Sequence, residues 1–203
     1  MQTIDSLDEL RSIYDVALPG SLTKVAPRIT PLYRQWIEQA RFTVLTTVGP
    51  KGTDASPRGD VDAVVRVADE QTLLLPDWRG NNRLDSLENI VVDGRVSLMF
   101  MVPGSNNVVR VNGSAVLTAD EALTTTFRRN QREPKTVIVI SVGEVYFQCA
   151  KALMRSELWQ AAGAADAAGK VPTAGEFLRE VTAGFDAAAY DEGYADYAKD
   201  KMW

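Results

Sequence analysis

The sequence predicts a mainly β fold with flanking helices, in which six antiparallel strands form a small barrel. Six runs in the middle of the chain are rich in β-branched or aromatic residues and are separated by turn residues. The connections VGPKGTD (48–54) and VADEQT (67–72) are short enough to be hairpin turns, which makes neighbouring strands antiparallel. Stretches with helical spacing of apolar residues lie before and after these runs. A curled sheet that is covered by helices or by a second subunit accounts for all three observations.

The predicted strands share a high content of valine, isoleucine, threonine and aromatic residues, and several are apolar on both faces. They are FTVLTTV (42–48), DAVVRVAD (62–69), TLLLP (72–76), RVSLMFMV (95–102), NVVRVNGSAVLT (107–118) and TVIVISVGEVYFQ (136–148). The length of 203 residues fits one domain. We expect helices over residues 1–40, the barrel over residues 41–148 and helices again over residues 149–203.

Four shorter stretches carry specific expectations. Residues 5–17 and 27–40 space their apolar side chains by three and four, and are predicted to be amphipathic helices that pack on the rest of the protein. Between two strands, Thr118 is followed three residues later by Glu121, a capping-box pattern that predicts a short helix. The alanine- and glycine-rich residues 161–175 are predicted to be a flexible connector.

The composition excludes several classes of site. The chain has no histidine, so nucleophile–histidine pairs, histidine-ligated metals and histidine general bases are all absent. The single cysteine, Cys149, excludes a disulfide framework and a multi-cysteine metal site. Without a histidine to activate it, Cys149 is predicted to be a small buried residue. We therefore expect no metal centre, and chemistry carried by other side chains or by a bound cofactor.

The charge and the apolar pattern limit the partners. The net charge of −5 disfavours a broad nucleic-acid surface. No run reaches the roughly 18 to 20 apolar residues of a membrane span, and the acidic N-terminal stretch lacks the order of a signal peptide. We expect a cytoplasmic protein without membrane contact.

The stretch RGNNRLDSLENI (79–90) has two interpretations. Asn81 or Asn82 could cap a helix whose first turn holds Asp85, and this needs no ligand. Alternatively, the free amides of the helix start, the neighbouring Arg83 and a close backbone approach at Gly80 could bind a phosphate. The phosphate interpretation requires further polar or basic groups to converge there from elsewhere in the chain.

Candidates for those groups lie in three other segments. Arg58 stands in ASPRGDV, which reads either as an anion-binding segment or as an edge strand or bulge with a surface arginine. Arg110 alternates with valines on a strand. This alternation fits an outward, solvated arginine and an inward arginine that contacts a ligand equally well. Lys151 and Arg155 are four residues apart and share one helix face, either around an anion or as a solvated surface.

Taken in order, several segments resemble the FMN-binding split β-barrel proteins related to pyridoxamine 5'-phosphate oxidase. They are FTVLTTV, GTDASPRGD, TLLLPDWRGNNRLDSLENI, RVSLMFMVPG and VVRVNGSAVLT. The later CAKALMRSELW resembles the ending of one bacterial branch of probable FMN-dependent enzymes, so the resemblance runs from about residue 30 to about residue 160. It implies a six-stranded antiparallel split barrel and a homodimer that binds two FMN molecules at the subunit interface.

The resemblance also implies a set of cofactor contacts. Arg58 and the following backbone would lie along the flavin. Asn82 and Arg83 would hold the FMN phosphate. Lys151 and Arg155 would approach the flavin or its phosphate, either within one chain or across the subunit interface. Asn82 stands where relatives carry a second basic residue. The implied cofactor-binding residues are Arg58, Gly59, Asp60, Leu75, Asp77, Asn81, Asn82, Arg83, Arg110, Lys151 and Arg155.

The resemblance implies an FMN-dependent oxidoreductase whose substrate and electron donor are open, NADH and NADPH being candidate donors. The family's oxidases that make pyridoxal phosphate carry an arginine–histidine substrate motif near the C-terminus, and this chain has no histidine, so that activity is not expected. Two alternatives stay open: a flavin-binding or sensing module without turnover, and a deazaflavin-dependent reductase.

Overall fold

The computed structural model describes residues 1–160 and 168–201. Its strands are β1 (Phe42–Gly49), β2 (Gly52–Gly59), β3 (Arg66–Val67), β4 (Thr72–Asp77), β5 (Arg95–Met101), β6 (Val108–Thr118) and β7 (Thr136–Gln148). Its helices are α1 (Leu7–Ile13), α2 (Pro19–Thr23), α3 (Pro31–Ile37), α4 (Asp85–Val92), α5 (Glu121–Thr124), α6 (Lys151–Ser156), α7 (Ala174–Val181) and α8 (Ala187–Lys201). All seven strands form one antiparallel sheet in the order β2-β1-β5-β6-β7-β4-β3. The predicted class, mainly β with flanking helices, is confirmed.

The core lies inside the curled sheet and follows from the alternation of side chains along the strands. In β1, Thr43, Leu45 and Thr47 are buried while their neighbours are partly exposed. In β4 the four residues from Leu73 to Pro76 are all buried, so this strand is covered on both faces. The largest fully buried side chains come from α3 and four strands: Phe100, Ile37, Leu45, Leu73, Leu75, Leu98, Ile138 and Ile140.

The sheet closes through side chains where its backbone ladder ends. β2 is one edge of the sheet, and β4 is next to the other edge. Even so, Arg58 of β2 and Asp77 of β4 form an ion pair with 2.5 Å between Nη1 and Oδ1. Because no strand pairing joins β2 to β4, this gap is where the barrel is split. The two sequence segments 58–60 and 75–77 therefore face each other across it.

Two strand predictions need correction. Residues 52–59 form β2, although none of the six predicted runs included them; the strand has no buried residue and pairs only with β1, so it lacks the apolar signal of a core strand. The predicted strand 62–69 is reduced to Arg66–Val67. Val64 and Val65 are buried all the same, and the Val64 amide donates to the Ala40 carbonyl outside the sheet. Their apolar character reflects burial and not strand pairing.

Both predicted helix caps are wrong. α4 begins at Asp85 with Leu84 at its N-cap position, so neither Asn81 nor Asn82 caps it, although Asp85 does stand in the first turn as predicted. The predicted helix between the barrel strands exists as α5, but its cap is Asp120, whose carboxylate accepts from the Ala122 amide. Short polar side chains satisfy turns as well as helix starts, and the local pattern does not separate the two uses.

Three expectations outside the barrel also change. α1 has no buried residue, and Leu7 and Ile13 on its apolar face are exposed, whereas α3 packs as predicted through buried Ile37. Cys149 is exposed, so the prediction of a buried cysteine is wrong. Of the predicted connector 161–175, residues 161–167 lie outside the described part of the chain, and its last two residues already begin α7.

In the described residues, no helix combines the length and the apolar content needed to cross a membrane.

Candidate functional site

A cavity of about 890 Å³ lies at the split between β2 and β4. Its walls are the end of β2, the end of β4, the loop from Trp78 to Leu84, the start of β7 and one side chain from α8, Tyr194. This volume falls in the range of cofactor and ligand pockets, roughly 300 to 1,000 Å³. The split in the barrel, which the Arg58–Asp77 ion pair bridges, therefore creates the site.

Eight of the eleven residues predicted for a cofactor site line this one cavity. They are Arg58, Gly59, Asp60, Leu75, Asp77, Asn81, Asn82 and Arg83. They come from three separate stretches of chain, and the closure of the barrel brings them together.

Arg58 lies in the wall and is held by Asp77. The two side chains are only 20% and 18% exposed, so their ion pair is shielded from solvent. Arg58 Nε is buried without a hydrogen-bond partner among the described residues, and the same is true of Oγ1 of Thr136, which also lines the cavity. A buried donor without a partner costs roughly 1 to 3 kcal/mol. Both unsatisfied groups belong to residues that line the cavity.

Asp60 has a different role from the one implied by the resemblance. Its side chain is 5% exposed and accepts hydrogen bonds from Trp78 Nε1 at 3.2 Å and Arg129 Nη1 at 2.7 Å. The carboxylate is therefore occupied by protein groups. Asp60 fixes Trp78 in the cavity wall and anchors the segment that carries Arg129.

The loop before α4 presents Arg83. The Asn81 side chain accepts from the Arg83 amide at 2.9 Å, and Asn82 adopts a left-handed conformation with φ of 59°. The Arg83 guanidinium donates to the Asp85 carboxylate, and this hydrogen bond, reinforced by the charge of Asp85, raises the pKa of Arg83. Arg83 is 79% exposed and remains charged. At Gly80 an added Cβ would meet no atom within 4 Å, so the chain itself does not require glycine there.

The cavity favours an anion. Its lining includes the basic side chains of Arg58, Arg79, Arg83 and Lys135. Its acidic side chains, Asp60 and Asp77, are both paired with arginines. This local excess of positive charge occurs in a protein whose net charge is −5. Charge-assisted hydrogen bonds from such groups are the usual means of holding a phosphate.

The lining residues missed from the sequence include Arg79, Lys135, Thr136 and Tyr194. Arg79 opens the RGNNR stretch, and Lys135 ends the basic segment FRRNQREPK (127–135), so charge was a usable signal for both. Nothing in the local sequence marks Thr136 or Tyr194. Tyr194 lies 117 positions beyond Asp77 and reaches the cavity only because α8 packs beside it.

The other three predicted residues do not line the cavity. Arg110 lies on β6, which β1 and β5 separate from β2, and its guanidinium lies 5.3 Å from the centroid of the Tyr146 ring. Val109 and Val111 beside it are buried, so the predicted alternation on this strand is correct. Lys151 and Arg155 share the short helix α6 and are exposed. The single chain therefore does not bring these three cations to the others.

Solved structures of several bacterial proteins are similar to this chain. A variant of HupZ from Group A Streptococcus has a TM-score of 0.50 and 20% identity, covering 59% of this chain and 99% of that one. An FMN-binding protein from Syntrophomonas wolfei has a TM-score of 0.43 and 15% identity, covering 57% and 88%. The FAD binding protein from Mycobacterium smegmatis has a TM-score of 0.41 and 13% identity, covering 61% and 97%. No curated protein matches the sequence significantly.

A sequence model described as pyridoxamine 5'-phosphate oxidase matches residues 29–149. The match runs from just before α3 to the end of β7 and covers more than half of the chain, including the cavity walls formed by β2, β4 and the RGNNR loop. The chain therefore belongs to the pyridoxamine 5'-phosphate oxidase family.

Proposed function

We propose that this protein binds FMN in the cavity between β2 and β4 and acts as an FMN-dependent oxidoreductase. The observation that carries the proposal is the convergence of Arg58, Arg79, Arg83 and Lys135 on one cavity whose two carboxylates are already paired. When bound, the flavin supplies hydride or electron transfer, which protein side chains do not provide.

The unpartnered donors are consistent with a flavin nucleotide. FMN presents ring carbonyl and nitrogen acceptors at one end and a phosphate at the other. Arg58 Nε and the Thr136 hydroxyl would each gain a partner from such a ligand. Pro57 and Leu84 add exposed apolar surface to the same cavity, which suits a flat ring system. The cavity thus offers both the polar and the apolar contacts that the cofactor needs.

The phosphate is assigned to the RGNNR loop. Arg83 supplies a permanent positive charge, and the first amides of α4 follow directly. Asn82 replaces the second basic residue that the resemblance implies, while Arg79 and Lys135 supply positive charge to the same cavity. We propose that these two cations compensate for Asn82. Asn81 contributes by holding the Arg83 backbone in place.

The test of this assignment compares Arg83→Ala with Arg95→Ala. Both arginines are largely exposed, 79% and 74%, and both pair with an aspartate two residues away, but Arg95 is not part of the cavity lining. We expect Arg83→Ala to weaken FMN binding about tenfold, as for the loss of one charge-assisted contact. Arg95→Ala should leave the affinity unchanged. Titration of the apoprotein with FMN, followed by quenching of flavin fluorescence, measures both.

Two results would contradict the proposal. Wild-type protein that takes up no FMN removes the proposed cofactor. Equal FMN affinities in the Arg83 and Arg95 variants remove Arg83 from the phosphate site, because the two substitutions delete the same charge in matched surroundings.

Turnover requires a separate measurement, because a flavin-binding or sensing module without activity would bind FMN equally well. We expect NADH or NADPH to reduce the bound flavin, and an added acceptor to reoxidise it at a comparable rate. Stopped-flow absorbance of the flavin band follows both steps. If neither NADH nor NADPH reduces the bound flavin, the protein is a flavin-binding module without turnover. Mass spectrometry of the molecule that co-purifies separates FMN from a deazaflavin.

We further propose that the protein is a homodimer with FMN at the subunit interface. Arg110, Lys151 and Arg155 lie outside the cavity of their own chain, so a second copy is the route by which they would approach a flavin. The exposed apolar face of α1, which contains Leu7 and Ile13, is surface that a subunit contact could cover. Light scattering coupled to size exclusion measures the mass directly, and a monomer at micromolar concentration would contradict this part of the proposal.

A further inference from the structure

A second, basic groove of about 450 Å³ lies beside the cavity. Five residues line it: Arg79, Asn82, Arg132, Glu133 and Lys135. Arg79, Asn82 and Lys135 line the main cavity as well, so the two spaces adjoin. Arg132 and Glu133 belong to the groove and not to the main cavity lining.

The groove favours an anion. Three of its five lining residues are basic, and its amide side chain, Asn82, can also donate. The one carboxylate, Glu133, accepts hydrogen bonds from Arg128, a residue that does not line the groove, with 2.7 Å between Oε1 and Nε. Arg128 thus balances the charge of Glu133, and the groove lining keeps an excess of positive charge.

The segment that carries Arg132 is held by several bonds. Arg129 and Arg132 exchange backbone hydrogen bonds, both 2.8 Å long, across a turn of two residues. Those residues, Asn130 and Gln131, both have positive φ, 48° and 62°, as such a hairpin turn requires. Positive φ is costly for glutamine, and such strain tends to persist where the surrounding structure has a use for it.

A side-chain pair ties this turn to the cavity wall. Arg129 is 25% exposed and donates to Asp60, which also accepts from Trp78 of the main cavity. Arg129 reaches Asp62 as well, at 2.9 Å. Because the same carboxylate holds both the wall and the turn, the groove keeps a set position beside the main cavity. It is therefore a built extension of the site.

We infer that this groove is a second phosphate subsite, which binds a nucleotide phosphate other than the phosphate of FMN. The inference rests on the proposed function, since the main cavity is taken to hold the flavin and its own phosphate. A ligand that reaches the groove carries its second phosphate a short distance beyond the first. Two nucleotides have this chemistry: a flavin that bears an adenylate, and a dinucleotide electron donor.

The direct test uses ADP, which carries nucleotide phosphates and no flavin. Isothermal titration calorimetry on the flavin-free full-length protein compares wild type, Arg132→Gln and Arg132→Glu. We expect about tenfold weaker ADP binding in Arg132→Gln, and a larger loss after charge reversal. Arg95→Gln, which removes an exposed arginine away from the groove, should bind as wild type does. Undetectable ADP binding to wild type, or equal affinity in wild type and Arg132→Glu, overturns the subsite.

Two further arms identify the source of the phosphate. If the ligand is an adenylate-bearing flavin, wild type binds FAD more tightly than FMN, and Arg132→Gln loses that advantage while its FMN affinity is kept. If the ligand is the electron donor, Arg132→Gln raises the KM for NADPH or NADH about tenfold and leaves kcat and the FMN affinity unchanged. If Arg132→Gln shifts neither the FAD advantage nor the donor KM, the subsite is overturned.

The outcomes separate this inference from the proposed function. ADP binding that depends on Arg132, in a protein that takes up no FMN, would remove the proposed function and keep the subsite. If FMN binding depends on Arg83 and no nucleotide affinity changes when Arg132 is replaced, the proposed function is kept and the subsite is removed. Thermal melts of every variant check that the fold is retained.

Discussion

Replacing Arg58 by alanine is expected to weaken FMN binding about a hundredfold, the largest effect of any single side chain in the cavity. Arg58 is largely shielded from solvent, pairs with Asp77 across the split, and has a buried Nε without a hydrogen-bond partner among the described residues. Charged hydrogen bonds in such surroundings contribute about 1.5 to 3 kcal/mol, and the substitution also leaves Asp77 as an uncompensated negative charge in the wall. FMN titration of the apoprotein measures the change in Kd.

Controls for this prediction separate charge from geometry. Arg58→Lys keeps the charge but loses the fork of donors, so we expect an intermediate affinity. Asp77→Asn keeps the size of the side chain and removes the charge that holds Arg58; it should weaken FMN binding less than Arg58→Ala does. An Arg58→Ala protein whose FMN Kd stays within about twofold of wild type would show that the cofactor is held elsewhere.

Replacing Gly113 by alanine is expected to destabilise the fold by about 3 kcal/mol, the upper part of the range for overpacking. Gly113 lies at the bulge between β6 and β7, where the register shifts so that Gly143 has no partner on β6. A Cβ at Gly113 would overlap the backbone carbonyl oxygen of Ser141 and stand 3.1 Å from the amide nitrogen of Gly143. Backbone atoms of a paired strand cannot move aside without breaking the ladder.

The melting temperature measures this effect. A loss of about 3 kcal/mol corresponds to a decrease of about 6 to 12 °C in a protein of this size. Gly80→Ala is the matched control, because a Cβ there would meet no atom within 4 Å. We expect the control to melt within a degree or two of wild type. A Gly113→Ala protein that melts with the control would mean that the bulge accommodates a side chain.

The sequence predicted the strands whose side chains meet the core. β1, β4, β5, β6 and β7 were all recognised, because each is a run of apolar, β-branched or aromatic residues bounded by turn residues. β2 was not among the six predicted runs, and only the edge-strand interpretation of ASPRGDV indicated it, because it has no buried residue and its pairing depends on the backbone of β1. Apolar pattern reports burial, so a strand that buries nothing carries no such signal.

For the site as well, local sequence predicted some features and not others. Arg58, Arg83 and the residues around them could be named from charge, from unusual backbone residues and from the resemblance to a family. The pairings of their side chains could not be predicted. The Arg58–Asp77 pair depends on how far the sheet twists and curls, and Tyr194 depends on where α8 packs, so neither follows from local sequence.

The local interpretation of RGNNRLDSLENI was only partly correct. Asp85 stands in the first turn of α4, but Asn81 bonds to the Arg83 amide and Leu84 occupies the cap position. An asparagine side chain can accept from an amide two residues on in either arrangement, and the energies differ little. The side chains of this loop line the cavity, and none of them caps α4.

By itself the sequence determined the absence of histidine chemistry, the alternation of buried and exposed residues on the central strands, and the candidate residues Arg58 and Arg83. These properties are set by residue identity and by short-range periodicity. Only the tertiary structure decided that β2 and β4 face each other without pairing, that Asp60 is committed to Trp78 and Arg129, and that Arg110, Lys151 and Arg155 stay outside the cavity. The physical reason is that these contacts join distant parts of the chain, and their formation depends on the twist of the whole sheet and on the packing of its core.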